Sequence, residues 1–180
     1  FFPCYNDEHS ISGMVRDVRA ALDGAVDDFE IIVIDDGSTD NTSQVVAAHA
    51  ARDPRVRLLT KTNGGKADAA NAGLAVATGE IVVAVDADTI VTHGAIAYMV
   101  AHFSDPKVTA VCGNVEVGNV RSWITRFQAI EYVTSQNFDR RAFALLNTVT
   151  VVPGALGAWR RDAVIAVGGY SSETLTEDAD

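Results

Sequence analysis

Acidic residues directly follow two apolar runs of the sequence. Asp35 and Asp36 follow one run, and Asp86 and Asp88 follow another. Carboxylates gathered at one place are costly unless a cation or hydrogen-bond donors offset their charge. The Asp-x-Asp spacing suits a hard divalent cation, Mg²⁺ or Mn²⁺, which also takes oxygens from a substrate phosphate. The alternative is structural, because the Asp-Gly-Ser-Thr-Asp stretch is also typical of a turn.

A lysine-bearing loop is the next candidate. Asn63-Gly64-Gly65-Lys66 directly precedes a helical pattern, and Lys66 is one of only three lysines in the chain. The spacing is not that of a Walker loop. Two glycines and a lysine at a helix N-terminus can nevertheless approach a phosphate closely. The loop therefore predicts either a phosphate contact, which we favour, or a flexible turn with a solvated lysine.

The elements that must position these residues follow from the pattern of apolar side chains. Short apolar runs at 29–34, 56–59 and 81–85, and a stretch rich in β-branched residues at 108–117, predict strands buried on both faces. A short first strand is expected to end near Phe2. Helical spacing fills the intervals, at 11–22, 40–52, 66–77 and 94–103. This alternation predicts an α/β fold with a mostly parallel sheet flanked by helices. Ligands bind at the carboxyl ends of such strands, where both acidic pairs lie.

Beyond residue 118 the pattern changes. Residues 121–145 predict one long helix or two shorter ones, and residues 160–167 predict another. Trp123, Phe127 and Ile130 form an apolar stripe at helical spacing. We expect the stripe to pack in the core; the alternative is an amphipathic face at a membrane surface. The arginines of this segment are consistent with either interpretation; they are Arg121, Arg126, Arg140 and Arg141.

Composition limits the classes of function. The chain has 180 residues, of which 48% are hydrophobic, and a formal net charge of −10. It is long enough for a sizeable core, and it is neither disordered nor collagen-like. The acidic balance argues against a general nucleic-acid binder. Cys4 and Cys112 form no zinc or redox motif. The chain opens on Phe1 and stops at Asp180 without a closing element, so we expect a fragment with its C-terminal part truncated.

Five motifs in order carry a resemblance over nearly the whole chain. They are Pro-x-Tyr-Asn-Asp-Glu at 3–8, Asp-Asp-Gly-Ser-Thr-Asp at 35–40, Asn-Gly-Gly-Lys-Ala-Asp-Ala-Ala-Asn at 63–71, Asp-Ala-Asp at 86–88 and Thr-Glu-Asp at 176–178. Together they resemble glycosyltransferase family 2. The lysine motif and Thr-Glu-Asp look like the processive branch of polysaccharide synthases. The stretch from Pro153 to Tyr170 looks closest to bacterial poly-N-acetylglucosamine and chitin-oligosaccharide synthases.

The resemblance implies a fold, a reaction and a division of the chain. The fold would be the GT-A type, Rossmann-like, in a single domain over 1–180. Residues 1–117 would bind a nucleotide-sugar, and residues 118–180 would form the acceptor side. The reaction would be an inverting, metal-dependent transfer of a sugar, with N-acetylglucosamine expected, from a UDP-sugar to a growing β-linked glycan. The full protein would lie at the cytoplasmic face of the cell membrane, held by segments outside this chain.

The resemblance also implies roles for individual residues. Asp178 would be the general base that deprotonates the acceptor hydroxyl. Asp88, with Asp86, would hold Mg²⁺ or Mn²⁺. The residues implied at the nucleotide-sugar are Pro3, Tyr5, Glu8, Asp35, Asp36, Lys66 and Asp86. The residues implied on the acceptor side are Glu177, Gly154 and Trp159, and Trp159 is equally well explained as a core residue.

Some alternatives stay open. Processive members carry a Gln-x-x-Arg-Trp motif after Thr-Glu-Asp, and this chain ends before that motif could occur. A non-processive family 2 transferase acting on a lipid or glycan acceptor is the first alternative. A nucleotidyltransferase is less well supported, because residues 1–10 hold no glycine-rich basic signature. A receiver-like domain would also place acids at strand ends, but it would leave the Thr-Glu-Asp motif unexplained.

Overall fold

The structure is a computed structural model that describes residues 1–146, 151–152 and 154–171. One three-stranded sheet is entirely parallel, in the order β1, β2, β3. Its strands are β1 (Phe2–Cys4), β2 (Ile31–Asp36) and β3 (Val56–Lys61). The second sheet has the order β4, β6, β5, with β6 antiparallel to both neighbours. Its strands are β4 (Ile81–Val85), β5 (Ala110–Cys112) and β6 (Leu156–Arg160).

Helices fill the intervals between the strands. The first four are α1 (Ile11–Leu22), α2 (Thr42–Ala50), α3 (Lys66–Val76) and α4 (Ala95–Ala101), with a 3₁₀ turn at His102–Ser104. A later helical segment consists of α5 (Trp123–Glu131), a π-helical stretch at Tyr132–Asp139 and α6 (Arg140–Leu145). The last helix is α7 (Arg161–Ala166). No helix in the described ranges is both long and apolar enough to cross a membrane.

The central position of β2 in its sheet explains why its first four residues are an unbroken apolar run. All six of its residues are buried. Ile31 and Val33 belong to the larger hydrophobic cluster, whereas Ile32 and Ile34 belong to the smaller one. Alternate side chains of a strand point to opposite faces, so a strand covered on both faces needs apolar residues at every position. The predicted α/β fold with a parallel sheet is confirmed.

Phe1 connects the two sheets. Its amino nitrogen donates to the Val83 carbonyl at 2.6 Å, and its carbonyl accepts from the Val85 N–H at 3.2 Å. The N–H and the carbonyl of Phe1 thus bond to two residues of β4 that are two positions apart, which is the pattern of parallel strands. The strand β4 therefore runs parallel to β1. The carboxyl ends of β1, β2 and β4 therefore meet at one edge, which is where the acidic motifs of the sequence begin.

One predicted strand is shorter than expected, and one observed strand was not predicted. The strand expected over 108–117 is confined to Ala110–Cys112, and the stretch 156–160 is a strand that the periodicity did not predict. Gly113 follows β5, and the position requires glycine because a Cβ there would lie 2.6 Å from the side chain of Leu156. The strand β6 inserts between β4 and β5, a pairing over long sequence separation that local patterns do not encode.

The helix predicted in 121–145 is present, but its expected burial is wrong. Trp123, Phe127 and Ile130 are exposed rather than packed in the core. The helix start is fixed locally by a capping box, in which Ser122 and Thr125 each bind the other's backbone N–H. Local sequence therefore determines the helix, while no element of the described ranges covers its apolar face.

Candidate functional site

Asp35 shapes the loop that follows β2. Its carboxylate is buried and accepts hydrogen bonds from the Ser38 N–H at 2.9 Å and from the Ser43 hydroxyl. Gly37 is needed in this loop, since its φ is +77° and a Cβ there would lie 2.8 Å from the Asn63 nitrogen. These contacts are those of a structural turn residue, which was the alternative interpretation of Asp35. The role implied for Asp35 beside the nucleotide stays a prediction.

Asp36 anchors the glycine loop before α3. One carboxylate oxygen accepts from Lys61 Nζ at 2.6 Å and from the Gly64 N–H at 3.0 Å, and the other accepts from the Gly65 N–H at 2.9 Å. Burial of Asp36 opposes its ionisation, but the bonds from Lys61 and the two glycines outweigh burial and hold its pKa below the ordinary value. Asp36 is therefore an anion at neutral pH.

Lys66 and Asp86 are brought together from different strand ends. Lys66 is the first residue of α3, and its Nζ lies 2.9 Å from Asp86 Oδ1 directly after β4. Both side chains are partly accessible, at 43% and 29%. The pair places a cation and a carboxylate within reach of the same external ligand, which is the arrangement expected for a diphosphate with a metal.

The loop after β1 is tied to the loop after β2. Backbone N–H groups of Asn6 and Asp7 donate to Ser38 Oγ at 2.9 Å and Thr42 Oγ1 at 2.8 Å. Glu8 accepts from the backbone and side-chain nitrogens of Asn41 at 3.0 and 2.9 Å. These contacts fix the loop, while the Tyr5 side chain remains exposed at its tip.

A small cavity joins the donor-side and acceptor-side candidates. It has a volume of about 20 Å³, room for about one water molecule. Five of the predicted site residues line it: Pro3, Lys66, Asp86, Gly154 and Trp159. These residues come from four separate stretches of the sequence that span 157 positions, from 3 to 159. The tertiary structure brings them together around this small cavity, beside the accessible Lys66–Asp86 pair.

A metal would have two predicted carboxylate ligands here. Asp86 is partly buried and Asp88 is exposed, both after β4. Within the described ranges no cluster of three or more His, Cys, Asp or Glu side chains could hold a metal. Two hard carboxylates still fit Mg²⁺ or Mn²⁺ if waters and diphosphate oxygens complete the shell.

The acceptor-side residues are described only in part. Glu177 and Asp178 lie outside the described residues. Gly154 is buried, and Trp159 lies in β6, where its ring meets Tyr170 edge-on at 6.1 Å. Trp159 packs against the smaller hydrophobic cluster. The core interpretation therefore accounts for most of the contacts of Trp159, although its side chain also lines the small cavity.

Sequence reasoning missed two residues that organise this region. Lys61 ends β3 and bridges Asp36 and Asp68, at 2.6 and 2.5 Å. Asn71 on α3 binds the backbone of Tyr170. Lys61 reaches Asp36 through the register of β2 and β3, which pairs the two residues. A larger cavity, about 290 Å³ and mostly apolar, lies elsewhere, near the amino ends of β2 and β4.

Comparison with known proteins identifies the family. The model of the family described as "Glycosyl transferase family 2" matches residues 1–168. The chain belongs to this family. Among curated members, the poly-beta-1,6-N-acetyl-D-glucosamine synthase of Staphylococcus aureus strain COL is 34% identical over 176 residues, and that of Staphylococcus epidermidis is 31% identical. These alignments cover 97% of this chain and 42% of each synthase, so the chain spans less than half of their length.

Solved structures share the family 2 fold. The mannosyltransferase PcManGT of Pyrobaculum calidifontis, in complex with GDP-Man and Mn²⁺, superposes with a TM-score of 0.71 at 27% identity, over 99% of this chain and 48% of that one. TarS of S. aureus gives the same TM-score at 21% identity, over 99% of this chain and 31% of that one. The predicted GT-A fold is confirmed by these likenesses.

Proposed function

We propose that this chain is the catalytic part of an inverting, metal-dependent glycosyltransferase that extends a β-linked polysaccharide from a UDP-sugar, with N-acetylglucosamine as the sugar. The observation that carries the proposal is the Lys66–Asp86 pair at 2.9 Å, at the edge where the acidic loops meet. The S. aureus relative, named for poly-β-1,6-N-acetyl-D-glucosamine synthesis, supports the choice of sugar and product. Residues 1–117 form the donor part and residues 118–180 the acceptor part in this proposal.

The donor is held by residues of the strand-end loops. Asp36, held in place by the two glycine N–H groups that bind it, presents a fixed negative charge to the nucleoside. The other residues around the nucleoside are Pro3, Tyr5, Glu8 and Asp35. Lys66 exchanges its contact with Asp86 for an oxygen of the diphosphate when the donor binds. This exchange is favourable because a diphosphate carries more charge than a single carboxylate.

The metal site is assigned to Asp86 and Asp88, which present hard oxygen ligands. A bound Mg²⁺ or Mn²⁺ supplies positive charge that stabilises the departing diphosphate. PcManGT and the Mycobacterium tuberculosis glucosyl-3-phosphoglycerate synthase were both solved with Mn²⁺ and a nucleotide-sugar, which supports this assignment. Lys66 adds a second positive charge on the same leaving group.

The transfer step is a single displacement. The acceptor hydroxyl oxygen forms a bond to the anomeric carbon as the bond from that carbon to the diphosphate oxygen breaks. The diphosphate leaves with the electron pair, and the hydroxyl proton passes to the Asp178 carboxylate. Glu177, Gly154 and Trp159 line the acceptor side, and the growing glycan is the acceptor. We place this reaction at the cytoplasmic face of the cell membrane.

A non-processive transferase is the second candidate. PcManGT, solved with GDP-Man, is 27% identical and shares the fold over 99% of this chain. That likeness shows the fold, and it makes GDP-mannose the alternative donor to test. The identity of the nucleotide separates the two donors, whereas the length of the product separates polysaccharide extension from a single transfer to a lipid or glycan acceptor.

The test is calorimetric titration of the chain with UDP-N-acetylglucosamine and with GDP-mannose, each with and without Mn²⁺. We expect Mn²⁺-dependent binding of the uridine nucleotide, weakened about tenfold or more in Asp88→Asn. Asp17→Asn is the matched control, because Asp17 is an exposed carboxylate on α1. Binding of GDP-mannose alone would replace UDP-N-acetylglucosamine by GDP-mannose as the donor. Binding of neither by a folded chain would count against both.

A further inference from the structure

Lys61, at the end of β3, is surrounded by acceptors from three parts of the fold. Its Nζ lies 2.6 Å from Asp36 Oδ1 at the end of β2 and 2.5 Å from Asp68 Oδ2 in the first turn of α3. It also donates to the Thr62 carbonyl at 2.6 Å. An ammonium group has three N–H donors, so these three contacts use all of them. The Lys61 side chain is only 18% exposed, and it is therefore committed to contacts within the protein.

These contacts fix the loop that leads into α3, which we call the glycine loop (residues 62–65). The N–H groups of Gly64 and Gly65 donate to the Asp36 carboxylate at 3.0 and 2.9 Å. A Cβ on Gly64 would lie 3.0 Å from Lys61 Nζ, so the loop packs directly against the ammonium group. Glycines have more conformational freedom than any other residue. The order of this loop therefore depends on the Lys61–Asp36 ion pair.

The start of α3 depends on the same ion pair. Lys66 is the first residue of the helix, and Gly65 before it has no side chain with which to cap the helix. The backbone of Gly65 has a φ of +86°, and its N–H is held by Asp36. The contacts of Lys61 thus reach Lys66 through the glycine loop, and they determine where the Lys66 side chain begins its approach to Asp86.

The two lysines differ in what their charges are available for. Lys66 is 43% exposed and has a partly exposed carboxylate, Asp86, beside it, whereas Lys61 is enclosed. Hydrogen bonds to Asp36 and Asp68 raise the pKa of Lys61, so it is a cation at neutral pH. Without this cation, two carboxylates would lie close together at the glycine loop and repel each other. Lys61 is suited to hold the loop, and Lys66 is suited to meet a ligand.

We propose that Lys61 is a positioning residue for donor binding, which holds the glycine loop so that Lys66 faces the diphosphate and does not itself touch the donor. This inference rests on the function proposed above, because it requires a diphosphate ligand at Lys66. When Lys61 is lost, the glycine loop samples many conformations in the free protein. Ordering the loop then becomes part of the binding reaction, which weakens the affinity for the nucleotide.

The experiment is a double-mutant cycle on Mn²⁺-dependent UDP binding, measured by calorimetry; GDP replaces UDP if the parent binds only GDP. The variants are Lys61→Gln, Lys66→Gln and the combined variant. We expect each single change to weaken binding about tenfold. In the Lys61→Gln background, the further loss of Lys66 should weaken binding less than about twofold, because a lysine that is not held in place contributes little. A residue that only stabilises the fold would give additive losses of affinity.

A second variant, Asp68→Asn, removes only one contact of Lys61 at a side chain that is 53% exposed. It should weaken binding about threefold and also diminish the effect of Lys66→Gln. Lys107→Gln is the matched control and should leave both the affinity and the effect of Lys66→Gln unchanged. Circular dichroism confirms that each variant is folded. Additive losses in a parent that binds the nucleotide would overturn the role of Lys61 and leave the proposed function standing. A folded parent that binds neither UDP nor GDP would overturn the proposed function, and this inference with it.

Discussion

Asn71 holds the backbone of Tyr170 through two hydrogen bonds. Its Nδ2 donates to the Tyr170 carbonyl at 2.8 Å, and its Oδ1 accepts from the Tyr170 N–H at 2.8 Å. Asn71 lies on α3, the helix that begins at Lys66, and Tyr170 follows α7. One amide side chain therefore connects the donor-side helix to the chain that leads toward the Thr-Glu-Asp motif at 176–178.

The first prediction concerns this amide. Asn71→Asp keeps an acceptor for the Tyr170 N–H but sets a carboxylate oxygen against the Tyr170 carbonyl. We expect a loss of about 1–3 kcal/mol in the free energy of unfolding, measured by urea denaturation. Amide hydrogen exchange should show faster exchange at Tyr170. Asn119→Asp, at an exposed position, is the control; equal stability of the two variants would contradict the connection.

The second prediction separates backbone strain from a steric clash. Gly168 and Gly169 both have positive φ, at +96° and +81°, but only a Cβ on Gly169 meets another atom, Asn71 Oδ1 at 2.4 Å. Gly168→Ala should lower the free energy of unfolding by about 1–2 kcal/mol through φ strain alone. Gly169→Ala should cost more, because Asn71 must also move. A thermal denaturation series that finds the two variants equal would argue against the close approach.

The third prediction is a pH dependence of stability. The pKa of Asp36 is lowered in the folded chain, where burial is outweighed by bonds from Lys61, Gly64 and Gly65. The unfolded chain therefore takes up the proton first as pH falls. The stabilisation is fully present above the unfolded pKa of about 4, and it is lost as pH falls through the lower folded pKa.

Asp36→Asn should accordingly lower stability near neutral pH by about 1–3 kcal/mol and flatten the acid limb of the stability curve. Urea midpoints measured from neutral pH down to about pH 3 provide the check. Asp17→Asn, which changes an exposed carboxylate, should leave the acid limb as in the parent. An Asp36→Asn curve parallel to the parent would refute the assigned role of the Lys61–Asp36 contact.

The fourth prediction distinguishes binding from stability at Lys66. Its pair with Asp86 is partly exposed, and such pairs contribute about 0–1 kcal/mol. Lys66→Gln should therefore change the melting temperature little but weaken Mn²⁺-dependent UDP binding about tenfold, as measured by calorimetry. Lys107→Gln is the matched control, since Lys107 is also exposed. Unchanged UDP affinity in Lys66→Gln would remove the lysine from the diphosphate site.

The sequence by itself determined the alternation of strands and helices, because periodicity and turn chemistry act over a few residues. It also placed Asp35, Asp36, Asp86 and Asp88 at strand ends, which in a parallel sheet lie on one edge. Its assignment of Glu177 and Asp178 stays a prediction.

Only the tertiary structure decided which of these residues meet. The antiparallel insertion of β6, the Lys61–Asp36 contact and the 99-residue separation between Asn71 and Tyr170 depend on strand register and chain crossovers. It also decided that the stripe on α5 is exposed, whereas its pattern predicted core. A pattern of apolar residues specifies which side of a helix can be buried; whether another surface covers that side depends on packing between distant segments.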